Sequence, residues 1–249
     1  MCWGSNVYGR HTGTGALANK RILVISDTHV PYHHPDALKF LSAIKDKYNP
    51  DRVIHIGDEI DSHAMSFHDS DPDAFSAGDE LRRARDVIWQ MEEIFPKVEV
   101  IESNHGSLWY RKAKHHGIPR EVIKSYEDIL GTKKWSWHYD LTLTLPNGQP
   151  CYFHHGKSAN GLLASQKLGM SFVQGHYHGK FGIQYWGTKE RLNFALQVGC
   201  LIDDHALAFE YNKTTMDRPV IGLGMIIDSQ PKTIPLVMKS NGRWNGRLN

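Results

Sequence analysis

The sequence has few cysteines, little excess charge of either sign and no long hydrophobic run. Its three cysteines, Cys2, Cys151 and Cys200, are far apart in a chain of 249 residues, so they form neither a disulfide framework nor a CxxC metal site. Unpaired cysteines are typical of a reducing compartment, and we expect a cytoplasmic protein. A net charge of +2 gives no overall field that would attract nucleic acid or a membrane.

No apolar run approaches the roughly 20 residues that span a bilayer, so we expect no membrane partner. Residues 1–20 lack the hydrophobic segment of a signal peptide and are rich in glycine, threonine and asparagine. We therefore predict a flexible N-terminal arm over 1–20. No internal repeat or low-complexity linker divides residues 21–249, which we predict to be one domain with a basic C-terminal tail. The sequence leaves the oligomeric state open.

The first half of this domain alternates between short apolar runs and helical patterns. The runs at 21–26, 52–56 and 97–101 predict buried strands, and helices are predicted between them over 35–48 and 77–95. This order of strands and helices predicts a parallel sheet with crossover helices, and therefore an α/β fold.

The second half is predicted to be richer in strands. An alternating stretch at 137–145 and a return strand at 149–154 surround Asn147-Gly148, a dipeptide that favours a hairpin turn. Further strands are predicted at 171–174, 182–186, 193–198, 220–228 and 233–238, and further helices at 107–116, 119–130 and 158–168.

Polar clusters follow five of the predicted strands, at the point where each strand ends. They are DTH at 27–29, GDEID at 57–61, SNH at 103–105, HHG at 154–156 and GHYH at 175–178. The carboxyl ends of strands are where open α/β sheets place their ligand sites. Aspartate, histidine and asparagine without cysteine suit Mn²⁺, Fe or Zn²⁺ rather than a sulfur-bound metal. A single cluster is as typical of a helix cap, but the five together predict a metal site.

In this order the clusters resemble the signature of the calcineurin-like metallophosphoesterases. That signature reads DxH, GDxxD, GNH followed by an acid, a His-Gly pair and GHxH, and the resemblance extends over roughly residues 21–210. It implies a four-layer α-β-β-α sandwich with a dinuclear metal site at the carboxyl ends of the strands. The implied cofactors are two divalent metal ions, with Mn²⁺ expected and Fe, Zn²⁺, Ni²⁺ or Mg²⁺ as alternatives.

The resemblance also assigns metal-binding roles to individual residues. Seven residues match the ligands of the family, namely Asp27, His29, Asp58, Asn104, His155, His176 and His178. Asp27, His29 and His178 would hold one ion, Asn104, His155 and His176 would hold the other, and Asp58 would bridge them. His155 is preferred to His154 because the family's ligand directly precedes glycine.

The implied chemistry is hydrolysis of a phosphoester. Two cations about 3.5–4 Å apart lower the pKa of a bridging water and neutralise phosphate oxygens, so that hydroxide attacks the phosphorus. Asp58 and His105 would be the catalytic residues, with His105 protonating the leaving oxygen or positioning the phosphate. His176 and His178 lie two residues apart, and we expect the flanking glycines to let the backbone turn so that each imidazole reaches a different metal.

The third cluster departs from the family pattern on both sides. Ser103 replaces a glycine, and Gly106 replaces the acid that steadies the catalytic histidine in relatives. The partner that orients His105 is left open between Asp61 and Glu102.

The loop after the second cluster carries His63 and His68 among aspartates. A solvated acidic loop is favoured over a substrate-facing lid, because surface loops are normally polar.

The resemblance specifies the reaction class more closely than the substrate. The phosphoprotein phosphatase branch usually has an arginine just before GNH, whereas Ile101-Glu102-Ser103 stands here, which argues against that branch. Basic residues beside aromatic ones, as around Arg111 and in the tail after Lys232, suit single-stranded nucleic acid. We therefore expect a phosphodiesterase acting on DNA or nucleotides, with Arg111 contacting the substrate. A phosphomonoesterase and a non-catalytic scaffold are the alternatives.

Overall fold

The computed structural model describes residues 12–13, 19–67, 73–206 and 218–248. The strands are β1 (Thr12–Gly13), β2 (Arg21–Ile25), β3 (Arg52–His55), β4 (Glu99–Ile101), β5 (Ser136–His138), β6 (Leu141–Thr144), β7 (Pro150–His154), β8 (Ser171–Gln174), β9 (Phe181–Gly187), β10 (Leu192–Val198), β11 (Gly222–Ile227) and β12 (Gln230–Pro235). The helices are α1 (Ala37–Tyr48), α2 (Ala77–Ile94), α3 (Leu108–His115), α4 (Tyr126–Leu130) and α5 (Gly161–Leu168), with 3-10 turns at His63–Met65 and Arg120–Val122. None of the helices in these ranges is long and apolar enough to cross a membrane.

The strands form two sheets of six. One sheet has the order β12-β11-β2-β3-β4-β5 and the other β1-β6-β7-β8-β10-β9. Strands β2 to β4 run parallel, as the alternation of apolar runs and helices predicts, and β5 extends the same parallel sheet. Strands β7 and β8 run parallel in the second sheet. The carboxyl ends of these parallel strands carry all five polar clusters.

Alternate residues of β2 show how the layers are stacked. Ile22 and Val24 lie in a core shared with strands of the other sheet, whereas Leu23 and Ile25 pack with residues of α1 and α2. Helix α5 covers the outer face of the second sheet, where Ala164 packs with Phe172. The order of layers is therefore helix, sheet, sheet and helices, which confirms the four-layer α-β-β-α sandwich.

Residues 137–145 do not form the single strand that their alternating pattern predicts. The chain leaves the first sheet after β5, turns at Tyr139-Asp140 and enters the second sheet as β6. One continuous strand cannot pair in two facing sheets, so the alternation breaks at the crossing. The predicted hairpin at Asn147-Gly148 is confirmed, because β6 and β7 are antiparallel neighbours and Gly148 has a positive φ of 80°.

Thr12-Gly13 near the N-terminus and the C-terminal tail both pack against the rest of the fold. Thr12 and Gly13 pair in parallel with β6, so this part of the predicted arm is a strand; residues 1–11 and 14–18 lie outside the described residues. The basic tail folds back onto α1, where Arg243 makes two hydrogen bonds of 2.7 and 2.6 Å to Asp36.

Candidate metal centre

Sharp backbone bends place the predicted ligands at the strand ends. Asp27, His29, Asp58 and His176 have positive φ angles of 49, 44, 51 and 66°. Left-handed conformations cost energy in residues other than glycine and concentrate at functional sites. Of the eight non-glycine residues with a positive φ among the described residues, four are predicted ligands.

The first donor group contains Asp27, His29 and His178. One donor atom from each lies within 4.8 Å of the others. The Asp27 carboxylate is 3.1 Å from His178 Nε2 and 3.8 Å from His29 Nε2. Asp27 and His29 are almost fully buried, whereas the His178 side chain is 16% exposed, so the group lies at the boundary between the interior and solvent.

The second donor group contains Asp58, His155 and His176, again with one donor atom from each within 4.8 Å of the others. His155 Nε2 lies 3.1 Å from His176 Nδ1. Asn104 joins this group, because its Oδ1 is 2.8 Å from the same His155 nitrogen.

Asp58 lies between the two groups. Its Oδ2 is 3.4 Å from His29 Nε2 and 3.2 Å from His155 Nε2. The side chain therefore contacts a histidine of each group. This is the place that the resemblance implies for a carboxylate shared by two metals.

Hydrogen bonds behind the histidines determine which ring nitrogen faces the centre. His155 Nδ1 is 2.8 Å from the Ile56 carbonyl oxygen, and His29 Nδ1 is 2.5 Å from Asp61 Oδ1. Donation through Nδ1 leaves the Nε2 lone pair of each ring directed at carboxylate oxygens, which is how metal-bound histidines are held in proteins. Lone pairs that converge in a buried space repel one another unless a cation or protons lie between them. The residues therefore fit two divalent ions.

The close approach of carboxylates and imidazoles shifts the pKa values of His155 and Asp27. Burial alone would lower the pKa of His155, but the Asp58 carboxylate raises it to about 9. Burial opposes ionisation of Asp27, yet hydrogen bonds from His178 and His29 hold its pKa well below the ordinary range. The centre therefore stabilises positive charge strongly, and a divalent cation would displace the histidine protons.

His105 forms a further donor group with His29 and Asp58, and Asp61 orients its ring. Its Nδ1 is 2.6 Å from the Asp61 carbonyl oxygen and 3.4 Å from Asp61 Oδ1, and its backbone N–H donates to Asp58 Oδ1 at 3.0 Å. Of the two partners left open by the sequence, Asp61 therefore makes the contact that holds the His105 ring.

Ser103 and Gly106, the two departures of the third cluster, each have close neighbours in the fold. Ser103 Oγ accepts the backbone N–H groups of Asp58 at 2.7 Å and of Gly106 at 3.1 Å. A Cβ atom at Gly106 would lie 2.8 Å from the Glu59 carboxylate, which is buried and accepts a hydrogen bond from Trp137. Glu59 thus occupies the space beside Gly106, and sequence reasoning missed it. The signal was an extra acid inside GDEID.

The GHYHG turn differs from the expectation in one respect. His176 itself has the positive φ, at 66°, and neither Gly175 nor Gly179 does. Gly175 is required for a different reason, because a Cβ there would overlap Ser26. His176 can bend because its backbone N–H donates to Asp27 Oδ2 at 2.9 Å, so the turn is held by the site itself.

The remaining predicted residues lie around the centre. Arg111 donates to the Asn104 carbonyl oxygen at 3.1 Å and is exposed. His154 packs against Tyr152 instead of facing the donor groups. His63 is half-buried, and its Nδ1 is 3.8 Å from Asp61 Oδ2; His68 lies outside the described residues.

Comparison with solved structures gives several distant similarities. The chain is 15% identical to an archaeal phosphodiesterase, with 87% of this chain and 99% of that chain covered and a TM-score of 0.48. It is 14% identical to Vps29 of Chaetomium thermophilum, with coverage of 91% and 94% and a TM-score of 0.49. It is 12% identical to the nuclease MPE of Pseudomonas putida, with coverage of 91% and 100% and a TM-score of 0.35.

Comparison with family models identifies the family of the chain, which the distant structural similarities do not. No curated protein sequence matches. The model of the calcineurin-like phosphoesterases, however, matches residues 20–197 of the 249. That match includes all five polar clusters and most of both sheets. The chain therefore belongs to the calcineurin-like phosphoesterase family, whose reaction is the hydrolysis of phosphoric esters.

Proposed function

We propose that the protein is a dinuclear metal-dependent phosphodiesterase that cleaves phosphodiester bonds in nucleic acid or nucleotides. The observation that carries the proposal is the position of Asp58, whose Oδ2 is 3.4 Å from His29 and 3.2 Å from His155. A carboxylate between two sets of nitrogen and oxygen donors suits a pair of divalent cations.

The proposed division of ligands follows the two donor groups. Asp27, His29 and His178 would hold one ion, Asn104, His155 and His176 would hold the other, and Asp58 would contact both. Nitrogen and oxygen donors without sulfur favour Mn²⁺, with Fe, Zn²⁺, Ni²⁺ or Mg²⁺ as alternatives. The bound cations would supply Lewis acidity, which neutralises phosphate oxygens and makes water a nucleophile near neutral pH.

The protein's own contribution is to position the substrate and to move a proton. His105 donates through Nδ1 to the Asp61 carbonyl oxygen, which leaves Nε2 as the ring nitrogen that can protonate the leaving oxygen. Arg111 is exposed beside Asn104, where its guanidinium would contact a phosphate of the substrate.

The proposal includes a reducing cellular compartment for this activity. Cys151 and Cys200 are buried and free, which supports a reducing compartment such as the cytoplasm.

The test begins with protein stripped of metal by a chelator and then reconstituted with Mn²⁺. Turnover of bis(p-nitrophenyl) phosphate, a diester, is compared with turnover of p-nitrophenyl phosphate, a monoester. We expect the diester to be preferred and the activity to be lost in Asp58→Asn. Asp86→Asn is the matched control, because Asp86 is exposed on α2 and should leave turnover unchanged.

Other outcomes select other functions. Turnover of the monoester alone would show a phosphomonoesterase. Two ions bound per chain with no turnover of either ester, or of single-stranded and duplex DNA, would favour a scaffold. Full activity of Asp58→Asn would contradict the shared role of Asp58.

A further inference from the structure

Two exposed phenylalanines and three cationic side chains form a surface beside the metal centre. We call this surface the aromatic rim, and its members are Phe67, Phe75, Arg83, Arg111 and Lys112. None of them belongs to the donor groups. Phe67 and Phe75 both lie in the loop after the second cluster, which also carries aspartates; residues 68–72, between the two rings, lie outside the described residues.

The Phe67 half of the rim adjoins the second donor group. Lys112 Nζ lies 4.1 Å from the centre of the Phe67 ring, and the Arg111 guanidinium lies 5.3 Å from it. The same Arg111 donates to the carbonyl oxygen of Asn104 at 3.1 Å, and Asn104 Oδ1 faces His155. Arg111 therefore contacts both the Phe67 ring and Asn104, which is a proposed metal ligand.

The Phe75 half adjoins the first donor group. The Arg83 guanidinium lies 4.3 Å from the centre of the Phe75 ring. Tyr32 stacks on the same ring with centroids 6.0 Å apart and an interplanar angle of 14°. The backbone N–H of Tyr32 donates to the His29 carbonyl oxygen at 2.8 Å, which connects this half to the first ion's proposed ligands.

The rings remain partly open despite their cation contacts. Phe67 is 48% exposed and Phe75 is 37% exposed. Large apolar rings left in water next to positive charges match the chemistry of a flexible polyanion with aromatic bases, because bases stack on the rings while phosphates meet the cations. Duplex nucleic acid keeps its base faces stacked internally and cannot use the rings in this way.

We infer that the aromatic rim binds single-stranded nucleic acid on the flank of the phosphodiester to be cleaved. This inference rests on the proposed phosphodiesterase function and names its substrate class. The strand would lie across Phe67 and Phe75, with Arg83, Arg111 and Lys112 contacting its phosphates. The metal centre would then receive the phosphate next to the stacked bases.

The test measures binding apart from turnover. Fluorescence anisotropy of a labelled 12-nucleotide single strand is recorded with protein in EDTA, where no hydrolysis occurs. Replacing both rings in Phe67→Ala/Phe75→Ala should raise the Kd for the strand about tenfold. Phe67→Leu/Phe75→Leu keeps apolar bulk and should weaken binding similarly if the aromatic faces matter. Tyr185→Ala is the matched control, because Tyr185 is also 48% exposed but lies on β9.

Kinetics with Mn²⁺ provide a second readout. The ratio of kcat/KM for the oligonucleotide to kcat/KM for bis(p-nitrophenyl) phosphate should fall in the ring variants and stay constant in Tyr185→Ala. Unchanged strand affinity in both ring variants would overturn the inference, as would equally tight binding of a blunt duplex that depends equally on the rings. Strand binding without hydrolysis of any ester would uphold the rim and overturn the proposed catalysis.

Discussion

Asp61 matches no ligand of the implied metal set, yet it contacts two histidines of the site. Its Oδ1 is 2.5 Å from His29 Nδ1, and its carbonyl oxygen is 2.6 Å from His105 Nδ1. We predict that Asp61→Ala weakens Mn²⁺ binding about 10–100-fold, because His29 loses the acceptor that fixes its ring. Asp61→Asn keeps an acceptor oxygen and should lose less.

Isothermal titration of chelator-treated protein with Mn²⁺ gives these affinities. Asp86→Ala, on the exposed face of α2, is the control and should bind as the wild type does. Wild-type affinity in Asp61→Ala would show that the contact with His29 does not support the metal.

Glu59 and Gly106 are predicted to be energetically coupled. A Cβ at Gly106 would press on the Glu59 carboxylate, at 2.8 Å from one oxygen and 3.0 Å from the other. Gly106→Ala should therefore lower the free energy of unfolding by about 1–3 kcal/mol through overpacking. In a Glu59→Ala background the same change should cost much less. Urea unfolding of the four variants measures the coupling, and additive effects would contradict it.

At this scale the sequence predicts the chemistry of the residues better than their conformation. The donor residues were recognisable because their order matches a family signature. The left-handed backbone of His176 was not, because a histidine there is held by a hydrogen bond to Asp27, 149 positions away. The place of Glu59 was missed for a similar reason, since Gly106 is its neighbour only in the fold.

Glu80 of helix α2 holds the 3-10 turn at His63–Met65. This residue is 2% exposed, and its carboxylate accepts the backbone N–H groups of His63 and Ala64 at 2.7 and 2.9 Å. Burial raises the pKa of Glu80 to about 7 from 4.5. Between these values the unfolded chain is ionised while the folded protein keeps the proton, so stability falls as pH rises from about 4.5 to about 7.

We predict that Glu80→Gln removes this part of the pH dependence. The free energy of unfolding of wild type should fall by about 2 kcal/mol more than that of Glu80→Gln between pH 5 and pH 8. Urea unfolding in EDTA at several pH values measures the difference without a contribution from metal binding. Glu93→Gln, exposed on the same helix, should show no such trend, and a parallel pH profile for Glu80→Gln would refute the prediction.

The C-terminal tail stabilises α1 through one ion pair. Arg243 contacts both oxygens of Asp36, whose side chain is only 7% exposed. Arg243→Ala should lower the free energy of unfolding measurably, because the nearly buried Asp36 carboxylate loses its partner; the loss is limited because water screens the exposed part of the arginine. Arg247→Ala, in the same tail, should change stability by less than about 0.5 kcal/mol. Equal effects of both substitutions would contradict a specific role for Arg243.

Helices and strands were predictable from the sequence where the apolar periodicity of a segment matched a single sheet or a single helix face. Helix α2 and strands β2 to β4 follow their apolar periodicity. Residues 137–145 did not, because the break between β5 and β6 is imposed by two sheets that exist only in the folded protein. The predicted helix at 119–130 likewise separates into a 3-10 turn and α4, since Ser125 caps α4 by accepting the N–H of Asp128.

For the whole molecule, the decisive feature is that two sheets bring their ligand-bearing strand ends to one place. Asp58 follows β3 of the first sheet, and His155 follows β7 of the second, yet their donor atoms are 3.2 Å apart. Periodicity in the sequence predicts each strand but not this meeting of sheets. The family resemblance supplied it, and the distances between donor atoms agree with it.

The proposed site requires two metal ions that share Asp58, and anomalous diffraction from crystals soaked in Mn²⁺ locates such ions. We predict two manganese peaks about 3.5–4 Å apart, one beside Asp27, His29 and His178 and the other beside Asn104, His155 and His176, with Asp58 bound to both. A single peak at saturating Mn²⁺, or two peaks that do not share Asp58, would contradict the account.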